Sequence, residues 1–213
     1  MAAQTGTVQR ILDTAEVLFA EKGFAETSLR AITSKAGVNL AAVNYHFGSK
    51  EALIQAVFER FLTPFCTALD ARMDELAEAD EAPGLDRLLA LVSGLALTSQ
   101  AKETHRIALF FRLCGLAYTQ AQGHLRRYLR EQYGAVFKRF LRVLNAAAPD
   151  VPPMELFWRI HFGLGAAVFA LSSMDSLRAI CKSDFGVELG VADVNQRLLP
   201  FIVGGIRSGD AAS

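Results

Sequence analysis

The side chains of residues 44–50 are suited to hydrogen bonding rather than to covalent chemistry. Tyr45, His46 and Lys50 carry donors that can bind phosphate oxygens. The amide of Asn44 can both donate and accept, and adenine is the base that it pairs with best in a bidentate way. Together, these residue types predict contact with both the backbone and the base edges of duplex DNA.

Two short helices joined by a tight turn are needed to present these side chains. Thr27 or Ser28 can cap the first helix, because a hydroxyl oxygen accepts a free backbone N–H. Gly37 can end that helix where a positive φ disfavours other residues, and Asn39 can cap the second helix. Apolar residues at helical spacing give each helix one inward face: Leu29, Ile32 and Ala36 in the first, Val43 and Phe47 in the second.

This layout predicts a helix-turn-helix, whose second helix enters the major groove of DNA. The alternative is an ordinary helical hairpin, since glycine is common at helix ends. Gly37 alone does not separate the two structures. The whole run, which ends in the aromatic-basic cluster Tyr45-His46-Phe47, favours the helix-turn-helix.

Residues 8–55 resemble, without a gap, the signature of the TetR family of transcriptional regulators. The signature has Leu-Phe-x-x-x-Gly-Phe, Thr-Ser/Thr-x-x-x-Ile, Ala-Gly-Val, and Tyr/His-His-Phe-x-x-Lys-x-x-Leu. The corresponding segments are Leu18–Phe24, Thr27–Ile32, Ala36–Val38 and Tyr45–Leu53. The resemblance implies a homodimer that binds double-stranded, pseudopalindromic operator DNA, with repression as the family default.

The resemblance also indicates which side chains contact DNA. Phosphate contacts are expected from Tyr45, His46, Lys50 and the hydroxyl of Thr27 or Ser28. The full expected set is Thr27, Ser28, Asn39, Leu40, Ala41, Asn44, Tyr45, His46 and Lys50. Asn44 departs from the family, which often has a backbone-contacting tyrosine there. We therefore expect Asn44, with Leu40 and Ala41 against thymine methyl groups, to read bases.

Beyond residue 53 the sequence predicts only helices, because no segment alternates in a β pattern. The expected fold is all-α, with a helix-turn-helix DNA-binding domain at residues 7–53 and a helical effector-binding and dimerisation domain at residues 54–208. The expected helices are Thr7–Lys22, Lys50–Leu76 with an interruption or bend near Pro64, Leu85–Gln100, Glu103–Tyr118, His124–Ala147, Met154–Ser173 and Val191–Arg207. The acidic stretch Glu75–Asp86 is expected to be a loop.

Two of these helices are expected at a dimer interface. His124–Ala147 has the cleanest apolar period in the chain, and Met154–Ser173 has small residues that let backbones approach closely. Pairing both with their symmetry mates gives a four-helix bundle, although both could instead be core. Basic residues on the outer side of the first helix favour a solvated face over a second DNA site: Arg126, Arg127, Arg130, Lys138, Arg139 and Arg142.

The apolar helices of the second domain predict a small hydrophobic effector. A guanidinium inside the apolar run 107–118 needs a carboxylate partner, either internal or from a ligand. The expected effector-binding residues are Arg112, Phe65, Phe111, Phe162 and Arg106, although aromatic residues at helical spacing are also typical of plain core. The runs 38–47, 61–66 and 184–187 resemble the PsrA-type subgroup, which implies a long-chain fatty acid or acyl-CoA effector and control of fatty-acid metabolism.

Composition agrees with this prediction. Lys+Arg and Asp+Glu number 22 each, which argues against non-specific coating of nucleic acid. Three distant cysteines give neither a zinc site nor a disulfide framework, and the N-terminus lacks the apolar core of a signal peptide. The most apolar run, 156–171, is short for a membrane span and contains Arg159 and His161. We therefore expect a cytoplasmic protein without cofactor, metal or membrane partner.

Two other functions stay open. One is a TetR-type repressor of an efflux or stress operon that responds to another hydrophobic compound. The other is a helical lipid carrier that does not bind DNA, which would have no use for Tyr45-His46-Phe47 after a glycine turn. An enzyme is not expected, because the sequence shows no nucleophile–base–acid spacing, no phosphate-cradling glycine loop and no metal cluster.

Overall fold

The computed structural model describes residues 2–78, 83–98, 104–120 and 122–208, and within these ranges the chain forms ten helices and no strand. The helices are α1 (Ala2–Glu26), α2 (Leu29–Ala36), α3 (Leu40–Phe47), α4 (Lys50–Ala77), α5 (Leu85–Thr98), α6 (Thr104–Thr119), α7 (Gly123–Ala147), α8 (Pro153–Ser172), α9 (Met174–Phe185) and α10 (Val191–Arg207). The predicted all-α class is confirmed.

Three features differ from the expected helices. Helix α1 begins before Thr7, and α4 continues through Pro64 without the interruption that we allowed for. Helix α9 was not predicted, because its sequence is short and mostly polar. The expected loop at residues 75–86 is partly helical at both ends, and residues 79–82 lie outside the described part of the chain.

Two apolar clusters form the core. The first joins α1–α4 to α6 and α7, with Leu113 and Leu125 of the second domain buried among residues of the first. The second joins the outer half of α4 to α5, α7, α8 and α10. Phe65 and Val136 pack against both clusters. The helix-turn-helix module thus shares its core with the body. Because the core is closely packed, a displacement of α6 also displaces residues of the module.

Two helices, α4 and α8, are long and apolar enough to cross a membrane, with mean hydropathies of 1.2 and 1.3 in their most apolar stretches. For α4, 44% of that stretch is buried inside the chain, whereas for α8 only 17% is buried. The hydropathy of α4 is therefore explained by the core. Helix α8 has an apolar face that the core of the protomer does not cover, and exposed faces of this kind are typical of interaction sites.

Candidate nucleic-acid interface and effector site

The turn between α2 and α3 is fixed by local hydrogen bonds. The Oγ of Ser28 accepts from the Ala31 N–H at 3.1 Å, and the Oδ1 of Asn39 accepts from the Ala42 N–H at 2.8 Å. Gly37 adopts φ 64° and ψ 40°, a left-handed conformation that side chains disfavour. On the inner side of α3, Val43 is fully buried. These contacts set the direction in which α3 presents its outer face.

The outer face of α3 is open to solvent. Tyr45 is 78% exposed, and Ala41 and Asn44 are exposed with it. Leu40 is exposed at the start of the helix, while His46 is half-buried and meets the Tyr45 ring edge-to-face, with ring centroids 5.0 Å apart. The structure therefore places the amide of Asn44 and the phenol of Tyr45 together on one accessible helix face.

Four of the expected DNA contacts already form hydrogen bonds within the chain. Thr27 is fully buried, and its hydroxyl lies 2.8 Å from the Gly23 carbonyl oxygen and 3.0 Å from that of Leu18. The expectation that Thr27 contacts phosphate is therefore wrong, and Ser28 caps α2. The Lys50 ammonium donates to the Ala25 carbonyl at 3.1 Å, which leaves two of its donors. Asn39 uses Oδ1 as a cap and keeps its NH₂ group.

Two family models match this fold. Residues 11–57 match the model of bacterial regulatory proteins of the tetR family, and residues 93–205 match the tetracyclin repressor-like C-terminal domain. The second match alone covers more than half of the chain. The chain belongs to the TetR family. Members of this family are transcription regulators, and the match at residues 11–57 covers the helix-turn-helix described above.

Curated relatives match only locally. The chain is 30% identical over 74 residues to a probable HTH-type transcriptional regulator, YttP, of Bacillus subtilis, covering 35% of this chain and 36% of the relative. It is 34% identical over 61 residues to the HTH-type transcriptional repressor KstR2 of Rhodococcus jostii, covering 29% and 30%. The chain therefore spans about a third of the length of these relatives.

Solved structures match along the whole chain. A tetR family transcription regulator from Shewanella superposes with a TM-score of 0.61 at 21% identity, covering 93% of this chain and 96% of that one. The regulator FadR from Bacillus subtilis, solved in complex with stearoyl-CoA, superposes with a TM-score of 0.55 at 21% identity, covering 92% and 98%. Both show that the body as well as the DNA module has the TetR fold.

A buried carboxylate joins α1 to the body. Glu16 is 2% exposed, and one of its oxygens lies 2.6 Å from Nη1 of Arg60 on α4 and 3.2 Å from Nη2 of Arg106 on α6. The Arg106 guanidinium also lies 5.2 Å from the centre of the Phe61 ring. Burial raises the pKa of Glu16, and the two guanidiniums only partly offset this effect.

Arg106 therefore does not offer the free cation that we expected for an effector. It is half-buried and committed to Glu16, so its observed role is to attach α6 to the DNA-binding module. The sequence gives little sign of this pair, because Glu16 lies in an otherwise ordinary amphipathic helix 90 residues away.

A second contact attaches the other end of α6. The Phe24 N–H donates to Oε1 of Gln120 at 3.1 Å. Gly23 adopts φ 84°, and a Cβ built there would lie 2.6 Å from Nε2 of Gln120. Glycine is therefore favoured at this position by its backbone conformation, and a larger residue would also have to displace the Gln120 amide. Helix α6 is thus attached to α1 near both of its ends.

The remaining effector candidates are not gathered in one pocket. The expectation that Arg112 is embedded in apolar surroundings is wrong, because the side chain is exposed and donates to the Ser172 carbonyl at the end of α8 at 3.1 Å. Phe162 is 67% exposed, so it lines no interior wall of the protomer. Phe65 and Phe111 are half-buried, and Phe65 lies at the junction of the two core clusters.

The apolar face of α8 forms a ladder at helical spacing. Its exposed members are Met154, Phe157, Trp158, Phe162 and Phe169, and Phe201 is exposed on the adjoining α10. By contrast, the apolar stripe of α7 is used inside the protomer, where Leu125, Tyr133 and Leu144 are buried. These residues of α7 therefore pack in the core of the protomer, whereas the neighbouring helices α8 and α10 expose apolar side chains.

Proposed function

We propose that this chain is a DNA-binding transcriptional repressor that binds a pseudopalindromic operator as a homodimer. The observation that carries the proposal is the structure of α3, which buries Val43 on one side and exposes Asn44 and Tyr45 on the other. Two such helices, related by a two-fold axis, would enter successive major grooves about 34 Å apart. We assign Tyr45, His46, Lys50 and Ser28 to phosphates and Asn44, with Leu40 and Ala41, to bases.

Replacing Asn44 with alanine should lower affinity for the operator by roughly 1–3 kcal/mol and relax selection at one base position in each half-site. Duplexes selected from a random pool by the wild-type and variant proteins, at one salt concentration, measure both effects. Tyr45→Ala is the contrasting variant, because a lost phosphate contact weakens all sequences about equally. An unchanged base preference for Asn44→Ala would show that other side chains read the operator.

We further propose that the two protomers pair through the face formed by α8 and α10. Exposed aromatic rings on a soluble chain favour association, and an isologous interface pairs one such face with its copy. The outcome is a four-helix bundle built from α8, α10 and their symmetry mates. We also propose that the protein is cytoplasmic, needs no cofactor and is not an enzyme.

We propose a small apolar effector, with a long-chain fatty acid or its CoA thioester as the first choice. The likeness of fold to FadR, which was solved with stearoyl-CoA, and the PsrA-type residue pattern support this choice. The acyl chain would enter where the two core clusters meet, at Phe65. The exposed guanidinium of Arg112 would bind a headgroup that stays at the surface, so the charge is not buried.

Release of the operator would then follow from movement of α6. Helix α6 is attached to α1 through the contacts Glu16–Arg106 and Phe24–Gln120. An effector that displaces α6 would therefore also displace α1, and with it α3. Such coupling is reciprocal, so operator DNA must lower acyl affinity by the same factor as the acyl ligand lowers operator affinity.

Arg112→Met should raise the oleoyl-CoA concentration needed for half-release of the operator by about tenfold, because one charge-assisted contact is lost. Anisotropy of a labelled operator, titrated with oleoyl-CoA, gives this concentration directly. Arg178→Met is the matched control, since Arg178 is an equally exposed arginine on α9. Equal shifts in both variants, or none in either, would place the headgroup elsewhere.

A further inference from the structure

Helix α7 begins with a cluster of arginines that its own protomer does not neutralise. Arg126, Arg127 and Arg130 are all exposed, and in the ranges that the structure describes none of them forms an ion pair. Farther along α7, Arg139 behaves differently, with Nη1 at 3.0 Å from Asp70 and Nη2 at 2.5 Å from Asp74. We call the three unpaired residues, Arg126, Arg127 and Arg130, the arginine cluster.

The arginine cluster is unfavourable for the helix that carries it. Like charges three and four residues apart repel one another on a helix surface. Cations in the first turns also oppose the helix dipole, and the first turn of α7 contains no acidic residue. Residues that oppose the charge preferences of their own helix in this way are typical of functional positions.

The cluster lies at the end of the body that adjoins the DNA-binding module. Gln120, just before α7, is bonded to Phe24 of α1, and Leu125 is buried in the cluster of the module. From there α7 runs outward beside α4, since Tyr133 pairs with Thr63 and Arg139 with Asp70.

The DNA-binding module itself supplies no net positive charge. Residues 7–53 contain five basic and five acidic side chains: Arg10, Lys22, Arg30, Lys35 and Lys50 against Asp13, Glu16, Glu21, Glu26 and Glu51. Attraction to the DNA backbone depends on neutralising phosphates with cations. The DNA-binding module has no net charge, whereas the adjoining end of the body carries the unpaired arginine cluster. The positive charge that is complementary to a polyanion therefore lies in the body.

In place of the solvated face that the sequence favoured, we propose that the arginine cluster of α7 binds backbone phosphates that flank the half-site read by α3. The inference rests on the DNA-binding function proposed above, and it adds a contact made by the body rather than by the helix-turn-helix. The contact contributes affinity and salt dependence but no base selection, because phosphates carry no sequence information. Each protomer would therefore contact DNA beyond the outer end of its own half-site.

The test compares two matched pairs of substitutions on the same helix. Arg126→Gln with Arg130→Gln removes two charges four residues apart in the cluster. Lys138→Gln with Arg142→Gln removes two exposed charges with the same spacing, about 18 Å farther along α7. The probe is a duplex selected from a random pool by the wild-type protein, used with the flanks it was selected with and also trimmed to the pseudopalindrome.

The first pair should reduce the slope of log K against log salt by about 1.8 per protomer, since each phosphate contact contributes about 0.9. The advantage of the wild type over this variant should then shrink about tenfold per protomer between 50 and 200 mM salt, which is roughly a hundredfold for the dimer. The second pair should leave the slope unchanged. Trimming the flanks should weaken the wild type more than the first variant, which keeps only Arg127 of the cluster.

Other results would overturn the inference, and they are separable from failure of the proposed function. An unchanged slope in the first pair, or an equal loss in both pairs, would show that the cluster does not contact DNA. A slope change without sensitivity to trimming would place the contact inside the half-site. Altered binding to anionic phospholipid vesicles with an unchanged slope would assign the cluster to a lipid surface. If the wild type selects no duplex at all, the proposed function itself fails.

Discussion

Replacing Trp158 and Phe162 with aspartate should convert the dimer to a monomer and lower operator affinity at least a hundredfold. Both rings are exposed on the outer face of α8, at 49% and 67%, and they stack with centroids 5.9 Å apart. Aspartates placed there would have to lose water in the interface without a partner. A monomer then binds one half-site and loses the avidity of two linked sites, which is worth 10²–10⁴ in affinity.

Sedimentation equilibrium and operator titration measure the two parts of this prediction. Leu141→Asp is the matched control, because Leu141 is a 41% exposed apolar residue on α7. Its substitution should leave both the mass and the affinity unchanged. If Leu141→Asp dissociates the dimer and the α8 variant does not, the interface lies on α7, as the apolar period of that helix first suggested.

Replacing Glu16 with leucine should destabilise the fold by about 3 kcal/mol, because Arg106 would lose its carboxylate and Arg60 would keep only its ion pair with Asp13. The Arg60 side chain is only 16% exposed and that of Arg106 only 28%, so water cannot fully replace the lost partner. Denaturant unfolding followed by circular dichroism measures the change. A leucine variant as stable as the wild type would show that the ion pairs contribute nothing to the attachment of α6.

Glu16→Gln should be tolerated better, and its effect should depend on pH. Burial raises the pKa of Glu16 in the folded chain above its ordinary value of 4.5. The folded state thus binds the proton more tightly, so the stability that this group contributes is present below pH 4.5 and is lost as pH rises through the raised pKa. Glutamine does not titrate, so the wild type should lose stability relative to Glu16→Gln as pH rises through that range. The opposite slope would mean that the arginines outweigh burial.

The helix-turn-helix could be predicted from sequence because hydrogen bonds between residues close in the chain determine where its helices begin and end. Gly37 and Asn39 each act on the backbone within three residues, and the structure places each one at the expected helix end. Thr27 and Ser28 carry the same hydroxyl, so only the fold shows that Thr27 is buried and that Ser28 is the cap.

The body was harder to predict because its contacts are distant in sequence. Helix α6 is apolar on nearly every side, so its pattern does not show that Arg106 points to α1 and Arg112 to solvent. The regular stripe of α7 and the aromatic ladder of α8 both fit an interface, and the partner of each depends on how the protomer packs. The pairing of Glu16 with Arg106 spans 90 residues and follows from no local rule.

The central claim is that this chain recognises a specific DNA sequence through α3, and a mobility-shift titration on the DNA upstream of its own gene tests it most directly. Excess non-specific duplex should fail to compete, and Asn44→Ala and Tyr45→Ala should each weaken the complex. The shifted species should contain two protomers or a multiple of two. If the wild-type protein shifts no fragment beyond the level of non-specific competitor, or if both α3 variants shift it as well as the wild type, the claim is contradicted.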